Sequence, residues 1–437
     1  MKFSYNKVFL IGIGGVGMSA LAGFFLKKGI KVFGYDREES NITRKLSSDG
    51  ASIFYELKKS NLDTFIKDDK SESLVVYTPA INRENIIFIF FKENNYVLKK
   101  RSEVLESIIC SQKNIAVAGT HGKTTITALI SHILNYSGVE ITAFIGGFLS
   151  EKNTNFIFSN KPKYFIVEAD EYDKSFLRIN PYISVISSLD LDHVDIYRNH
   201  DDLIFNFNVF LNKTEKMVIS HENVLSDLKI KNTQVDTYDD VPHDILNKKS
   251  LKHIDLILPG KHNIANLNAA VITCLSLGLK SAEINNAICD FKGILRRFQF
   301  HEKKNFILIE DYAHHPKEIS ATLNAVSEMY LNKKITVFFQ PHLFSRTDFF
   351  LEDFAKSLSI AENVILYEIY GAREKNQGTV NSLDLLKLIN ANYKSLIKET
   401  EIDNVINHIK PDLVVVLGAG DITKSVKKIH KSLKNNS

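Results

Sequence analysis

Asn114-Ile-Ala-Val-Ala-Gly-Thr-His-Gly-Lys-Thr-Thr-Ile126 decides the fold. Five residues of strand character run into a glycine-rich turn, and the turn runs into a helical pattern. Successive backbone N–H groups in such a turn can cradle phosphate oxygens. Lys123 supplies a mobile ammonium for the β/γ-phosphates, and the Thr124 hydroxyl lies where it can reach Mg²⁺. Val117 stands where the usual Walker spacing has its first glycine, so Gly119, Thr120, His121 and Gly122 form a shortened loop ahead of Lys123, Thr124 and Thr125.

Two acidic clusters follow at the ends of apolar runs. Phe165-Ile-Val-Glu168 leads into Ala169-Asp-Glu-Tyr-Asp173, and Tyr182-Ile-Ser-Val-Ile186 leads towards Asp190-Leu-Asp-His-Val-Asp195. The carboxyl ends of parallel strands face the ligand crevice, so Glu168 and His193 are candidate metal ligands beside the loop. Either cluster alone reads equally well as a solvated loop. Further on, Pro259-Gly-Lys-His-Asn-Ile-Ala-Asn266 opens a helix. His262 and Asn266, four apart, could hold an adenine by stacking and amide bonds, while Asn263 has a rival reading as a helix cap.

A second glycine-rich turn lies upstream. Gly12, Gly14 and Gly17 follow the strand Lys7-Val-Phe-Leu-Ile11 with G-x-G-x-x-G spacing, and Asp36 ends the next strand. This pattern suits a diphosphate-bearing nucleotide, with a ribose hydroxyl on the acid. The glycines leave NAD and a UDP-sugar both open, and Gly15, Met18 and Ser19 make the turn less usual for a dinucleotide. A third series of strands opens at Asn305-Phe-Ile-Leu-Ile309 and closes at Leu413-Val-Val-Val-Leu417. Within it, Pro316 suits a first helical turn, and Ile319, Leu323 and Val326 share one helical face.

Strands alternating with helices predict an α/β chain of mainly parallel sheets. At ~150 residues per domain, 437 residues suggest three. We place them at 1–108 (Rossmann-like), 109–297 (P-loop ATPase-like) and 298–437 (Rossmann-like), with 221–253 as loops or an elaboration. A net charge of +4 carries no basic excess of the kind nucleic-acid binders concentrate. No apolar run approaches the ~20 residues that span a bilayer, and none at the start resembles a cleavable signal. Cys110, Cys274 and Cys289 show no metal spacing. A reduced, cytoplasmic protein is the expectation.

Taken in chain order, these motifs resemble the Mur ligase family, the ATP-dependent amide ligases of peptidoglycan synthesis. The likeness also includes Arg296-Arg-Phe298, Asp311-Tyr-Ala-His-His-Pro316 and Gln340-Pro-His342, and it spans nearly the whole chain. It implies that the first domain binds the UDP of a sugar substrate through its glycine turn, Asp36 and Thr78. It implies ATP and Mg²⁺ (or Mn²⁺) on the middle domain, with Lys123 at the phosphates and Thr124, Glu168 and His193 at the metal. His262, Asn263 and Asn266 would meet the adenine, and Arg297 and Asp311 would approach the nucleotide. Tyr312 and Arg346 match positions that hold L-alanine, Arg346 through its carboxylate. Their rival reading is domain-edge packing and a surface ion pair.

The reaction so implied joins L-alanine to the lactyl carboxylate of UDP-N-acetylmuramate through an acyl phosphate. The alternative is a recycling ligase that uses a tripeptide acceptor. A base for the amine proton is also implied, and His314 and His315 both remain open. Neither nucleic acid nor membrane is expected as a partner, and a monomer or weak homodimer is. Two departures stand out. Leu343 replaces an arginine found in many members, and no lysine occurs between His193 and Lys213, so no carbamylated lysine is expected.

Overall fold

A strand buried on both faces reads as a nearly continuous apolar run, and among the described residues such a strand lies at the heart of each of three sheets. The computed structural model describes residues 5–436 apart from 57–61, 63–64, 67–69, 80, 82–83, 193–195, 232, 240, 242–244, 373, 375 and 377. The first sheet contains β1 (Lys7–Ile11), β2 (Lys31–Tyr35), β3 (Ser52–Phe54), β4 (Ser73–Tyr77) and β5 (Val97–Lys100). Its order is β3-β2-β1-β4-β5, and every pairing is parallel. Strand order reverses at β1, which is where an open parallel sheet leaves a ligand crevice.

The second sheet contains β6 (Asn114–Ala118), β7 (Ile141–Leu149), β8 (Thr154–Ile157), β9 (Tyr164–Glu168), β10 (Ile183–Ile186), β11 (Met217–Ser220) and β12 (Gln234–Thr237). The order β12-β11-β10-β6-β9-β7-β8 puts β6 between the two strands that end in the acidic clusters. Within this sheet, among the described residues, only β7 and β8 pair antiparallel. Their hairpin packs on the helix Val16–Lys27 behind the first glycine turn, where Phe24 meets Phe144, Phe156 and Phe158. Asn155 completes that junction by donating to the Val16 carbonyl at 2.6 Å.

The third sheet contains β13 (Gln299–Glu302), β14 (Ile307–Asp311), β15 (Thr336–Phe339), β16 (Asn363–Leu366), β17 (Tyr393–Leu396) and β18 (Leu413–Leu417), in the order β13-β14-β18-β15-β16-β17. Period-two alternation divides its side chains between two cores. Ile307, Ile309, Val337, Phe339, Val415 and Leu417 fill one face, and Leu308, Phe338, Val414 and Val416 fill the other. The helix Pro316–Met329 buries Ile319, Leu323 and Val326 on the first face, with proline in its first turn as expected.

By contact, the chain forms two compact units. One holds Met1–Leu189, Asp201–Val241 and Ala269–Ala287, and the other holds Asp190–His200, Pro242–Asn268 and Ile288–Ser437. The three-domain fold of sheets flanked by helices is the one expected from sequence. We retain the limits near 108 and 297 as a proposal from chain order, noting that 190–200 and 242–268 group with the C-terminal sheet. Of the stretch 221–253, the part up to Val241 falls in the unit of the middle sheet and contributes edge strand β12, whereas the helix Lys248–Ile257 falls in the unit of the C-terminal sheet.

Candidate functional site

The first glycine turn is shaped by its own carboxylate. Gly12 takes φ +81°, a left-handed conformation suited to glycine, and its N–H donates to the Tyr35 carbonyl at 2.8 Å. Asp36 accepts the Gly14 N–H at 2.7 Å and the Arg37 N–H at 2.7 Å, so it braces the turn. Gly15 closes back on Gly12, Thr78 adjoins Gly12 from the end of β4, and Gly17 leaves room for the Arg101 side chain. Met18 and Ser19, which the resemblance assigns to the UDP-sugar site, follow in the helix. Both are buried beneath the turn, with the Ser19 hydroxyl donating to the Val16 carbonyl at 2.8 Å. Helical periodicity turns those two positions inward.

The second turn follows β6. Gly119 has φ +120°, and a Cβ there would press on Ser188, whose carbonyl accepts the Thr120 N–H at 2.9 Å and whose hydroxyl accepts the His121 N–H at 3.0 Å. Past those two bonded N–H groups, the loop runs through Gly122 (φ +81°) into the first turn of the helix Lys123–Tyr136. Helix-opening N–H groups have no partner within their own helix. Thr125 is buried in that helix.

Lys123 reaches back along the loop and donates to the Gly119 carbonyl at 2.6 Å and the Thr120 carbonyl at 3.1 Å. Its ammonium also lies 2.8 Å from Glu171 Oε2 and 3.0 Å from Oε1. Burial pushes the ammonium pKa down, but Glu171, Asp170 and Glu168 outweigh burial and hold it above the usual lysine range. Beside it, the Thr124 hydroxyl donates to Glu168 at 2.9 Å, and the Gly146 N–H donates to the same carboxylate at 3.1 Å. A Cβ at Gly146 would overlap that carboxylate. Thr124 and Glu168 are hard oxygen donors, of the type Mg²⁺ selects, and fit such an ion beside the loop. Among the described residues, no three His, Cys, Asp or Glu side chains cluster for a metal. His193 lies outside the described residues.

Asp311, at the end of β14, accepts the N–H groups of Phe298 and Ala313, each at 2.7 Å. Burial raises its carboxyl pKa to about 6, against the lowering influence of Arg297 and those two bonds. The turn it holds is strained, with Arg296 at φ +61° and Phe298 at φ +47°. Two guanidiniums lie over the Tyr312 ring, that of Arg296 4.8 Å and that of Arg297 5.0 Å from its centroid. Arg296 also binds Glu310 at 3.2 Å and the Gly418 carbonyl at 2.7 Å. Asn263 is not the helix cap, because the helix starts at Lys261; its amide donates to the Pro259 carbonyl at 2.9 Å. Asn266 donates to Asn263 at 3.3 Å, and His262 folds back over Gly260.

The two adjacent histidines have different jobs. His315 caps the helix Pro316–Met329, its Nδ1 accepting the Lys317 N–H at 3.3 Å. His314 Nδ1 lies 3.0 Å from the Tyr312 carbonyl, which makes it the donor and leaves Nε2 with its lone pair. Burial lowers its pKa to about 4 despite the nearby Glu318 carboxylate, so His314 is neutral at pH 7. Arg346, expected at a domain edge or at a substrate, is buried. Its Nε and Nη2 bind the two oxygens of Asp192, each at 3.0 Å, and Nη1 lies 3.4 Å from His342 Nδ1.

Sequence reasoning missed Ser188, Glu171, Asp192 and Arg296 as shapers of these groups. Glu171 and Asp192 stood inside the acidic clusters and could have been weighed as partners for nearby cations. Nothing local marks Ser188.

A lysine-bearing phosphate-type turn facing a strand-end acid, in a chain of three parallel-sheet domains, defines a nucleotide-binding α/β protein. Its sequence matches the Mur ligase family catalytic domain over residues 7–113, the Mur ligase middle domain over 117–274 and the Mur ligase glutamate ligase domain over 296–420. It is 39% identical to the UDP-N-acetylmuramate–L-alanine ligase of Christiangramia forsetii, with 97% of each chain covered. It is 40% identical to the enzyme of that name from Flavobacterium psychrophilum, with 98% of each covered. Among solved structures, it resembles the UDP-N-acetylmuramate–alanine ligase of Thermotoga maritima with a TM-score of 0.77 at 26% identity, covering 99% of this chain and 100% of that one. The chain belongs to the Mur ligase family.

Proposed function

We propose that this protein joins L-alanine to the lactyl carboxylate of UDP-N-acetylmuramate, using ATP and releasing ADP and phosphate. The observation that carries the reading is the buried Lys123 ammonium among loop carbonyls and acids, beside the Thr124–Glu168 pair. Full-length relatives bearing that enzyme name supply the substrates. A murein peptide ligase from Psychrobacter arcticus shares the fold with a TM-score of 0.68 at 20% identity, covering 98% of this chain and 99% of that one. That likeness concerns architecture and does not favour a peptide acceptor.

A carboxylate resists attack by an amine because oxide is its leaving group. Transfer of the γ-phosphoryl group of ATP to the lactyl oxygen creates an acyl phosphate. The amine then attacks the carbonyl carbon, and the C–O bond breaks to release phosphate. In the first step, Lys123 exchanges the Glu171 carboxylate for phosphate oxygens and neutralises the charge that builds there. Thr124 and Glu168 would hold Mg²⁺, which supplies charge neutralisation at the same oxygens when bound. Asn263, Asn266 and His262 would border the adenine, and Arg297 and Asp311 the nucleotide. The first glycine turn, with Arg101 beside it, would receive the UDP diphosphate.

In the second step the amine must lose a proton. Of the two histidines, His314 is the fitting base on geometry, because its Nε2 carries the lone pair, whereas His315 caps its helix. Arg346 would take the L-alanine carboxylate in a two-bond fork. No described helix is long and apolar enough to cross a membrane. Nucleotide substrates and free thiols fit work in the cytoplasm. Mass spectrometry of products from UDP-N-acetylmuramate, ATP, Mg²⁺ and single amino acids tests the reading. Preferential formation of the L-alanine adduct is expected; a product only with a tripeptide acceptor, or with none, would overturn it.

A further inference from the structure

The guanidinium that the proposed reaction needs is already engaged. Arg346 presents a planar fork, and the carboxylate of Asp192 fills it with two bonds of 3.0 Å. Both side chains are almost wholly shielded from water, with 4% of Arg346 and 8% of Asp192 exposed. The guanidinium's remaining nitrogen, Nη1, points at His342. Leu343 offers no second cation: its side chain is apolar and buried, on a backbone held at φ +72°. An α-carboxylate arriving here therefore meets a neutral, desolvated pair.

We infer that Asp192 is an internal rival for the acceptor's carboxylate, and that it sets the affinity for the amino acid by having to leave the Arg346 fork. The inference rests on the reading that Arg346 receives that carboxylate. Exchanging one carboxylate for another on the same fork costs little in geometry. The contact then contributes only the difference between two similar ion pairs. Weak binding of a small zwitterion follows directly, and so does discrimination. An acceptor without an α-carboxylate cannot displace Asp192 and gains nothing from its removal. Asp192 is thus a specificity-determining residue rather than a catalytic one, since it leaves as substrate arrives.

The test compares L-alanine with L-alaninamide, which keeps the amine and methyl group but lacks the anion. In Asp192→Asn, the KM for L-alanine should fall by about tenfold relative to the KM for L-alaninamide. An unchanged ratio, or one moved the other way, overturns the proposal, because a merely structural loss would affect both acceptors alike. Thermal melting establishes that the variant is folded. A second measurement needs no disabling change: in wild-type protein labelled with [¹³C]aspartate, the Asp192 carboxyl resonance is assigned by its loss in Asp192→Glu. With UDP-N-acetylmuramate and a non-hydrolysable ATP analogue present, it should shift on saturation with L-alanine and stay put with L-alaninamide. A resonance unmoved by L-alanine overturns the proposal even where ligation itself is normal, whereas absence of any L-alanine product would instead remove the functional reading.

Discussion

Lys123 and Glu171 form a buried ion pair inside the phosphate loop, 2.8 Å apart at closest approach, with 12% of the lysine side chain and 2% of the glutamate exposed. The carboxylate holds the ammonium among the loop carbonyls, and phosphate oxygens would have to take its place. Breaking such a pair from one side strands a charge and costs roughly 3–5 kcal/mol. Lys123→Ala should therefore abolish nearly all ligation and also lower the melting temperature. Adding Glu171→Gln should restore much of the melting temperature but none of the turnover. Recovery of activity in the double variant would separate Lys123 from the chemistry.

Glu168 offers a subtler perturbation through a glycine whose N–H it accepts. A methyl group at Gly146 would overlap the Glu168 carboxylate, which also receives the Thr124 hydroxyl. Gly146→Ala should raise the Mg²⁺ concentration for half-maximal turnover by about tenfold, as displacement of an oriented metal ligand does. A Mg²⁺ titration that superimposes on wild type would return Glu168 to a structural role.

His314 has a pH signature of its own. Its pKa falls from the ordinary 6.5 to about 4 in the folded protein. Between those values the unfolded chain takes up a proton that the folded chain refuses. The contribution is thus fully present above pH 6.5 and lost as pH falls towards 4, amounting to at most about 3 kcal/mol. His314→Gln should flatten that acid-side decline in the urea midpoint and cut turnover with L-alanine by about 10²–10⁴-fold. An undiminished rate would remove His314 as the base.

Arg346 is expected to act through its fork, which lysine cannot reproduce. Arg346→Lys should raise the KM for L-alanine about tenfold, roughly 1.4 kcal/mol on the binding scale. The KM for ATP should change far less. Parallel increases for both substrates would make the Arg346–Asp192 pair a structural bond alone.

The legible parts of this molecule were those with local causes. β18 is apolar throughout, β1 and β6 are apolar on both faces after their first residues, Lys7 and Asn114, and the glycine turns after β1 and β6 have spacings that backbone geometry requires. The edge strands were hidden for the same reason: Gln234–Thr237 and Tyr393–Leu396 are polar and largely uncovered, so alternation carries little signal there. In the site, Lys123 and Thr124 could be read from the turn itself. Their pairing with Glu171 and Glu168 depends on β9 lying beside β6, which sheet order decides. The Asp192–Arg346 fork joins positions 154 residues apart, and no periodicity reports such a contact.

Oxygen transfer tests the account most directly, because an acyl phosphate must pass one carboxylate oxygen to phosphate. UDP-N-acetylmuramate carrying ¹⁸O in both lactyl oxygens is to be incubated with the protein, ATP, Mg²⁺ and L-alanine, and the released phosphate analysed by mass spectrometry. The account predicts one ¹⁸O in each phosphate formed and the other in the new amide. Unlabelled phosphate accompanying amide formation would contradict it.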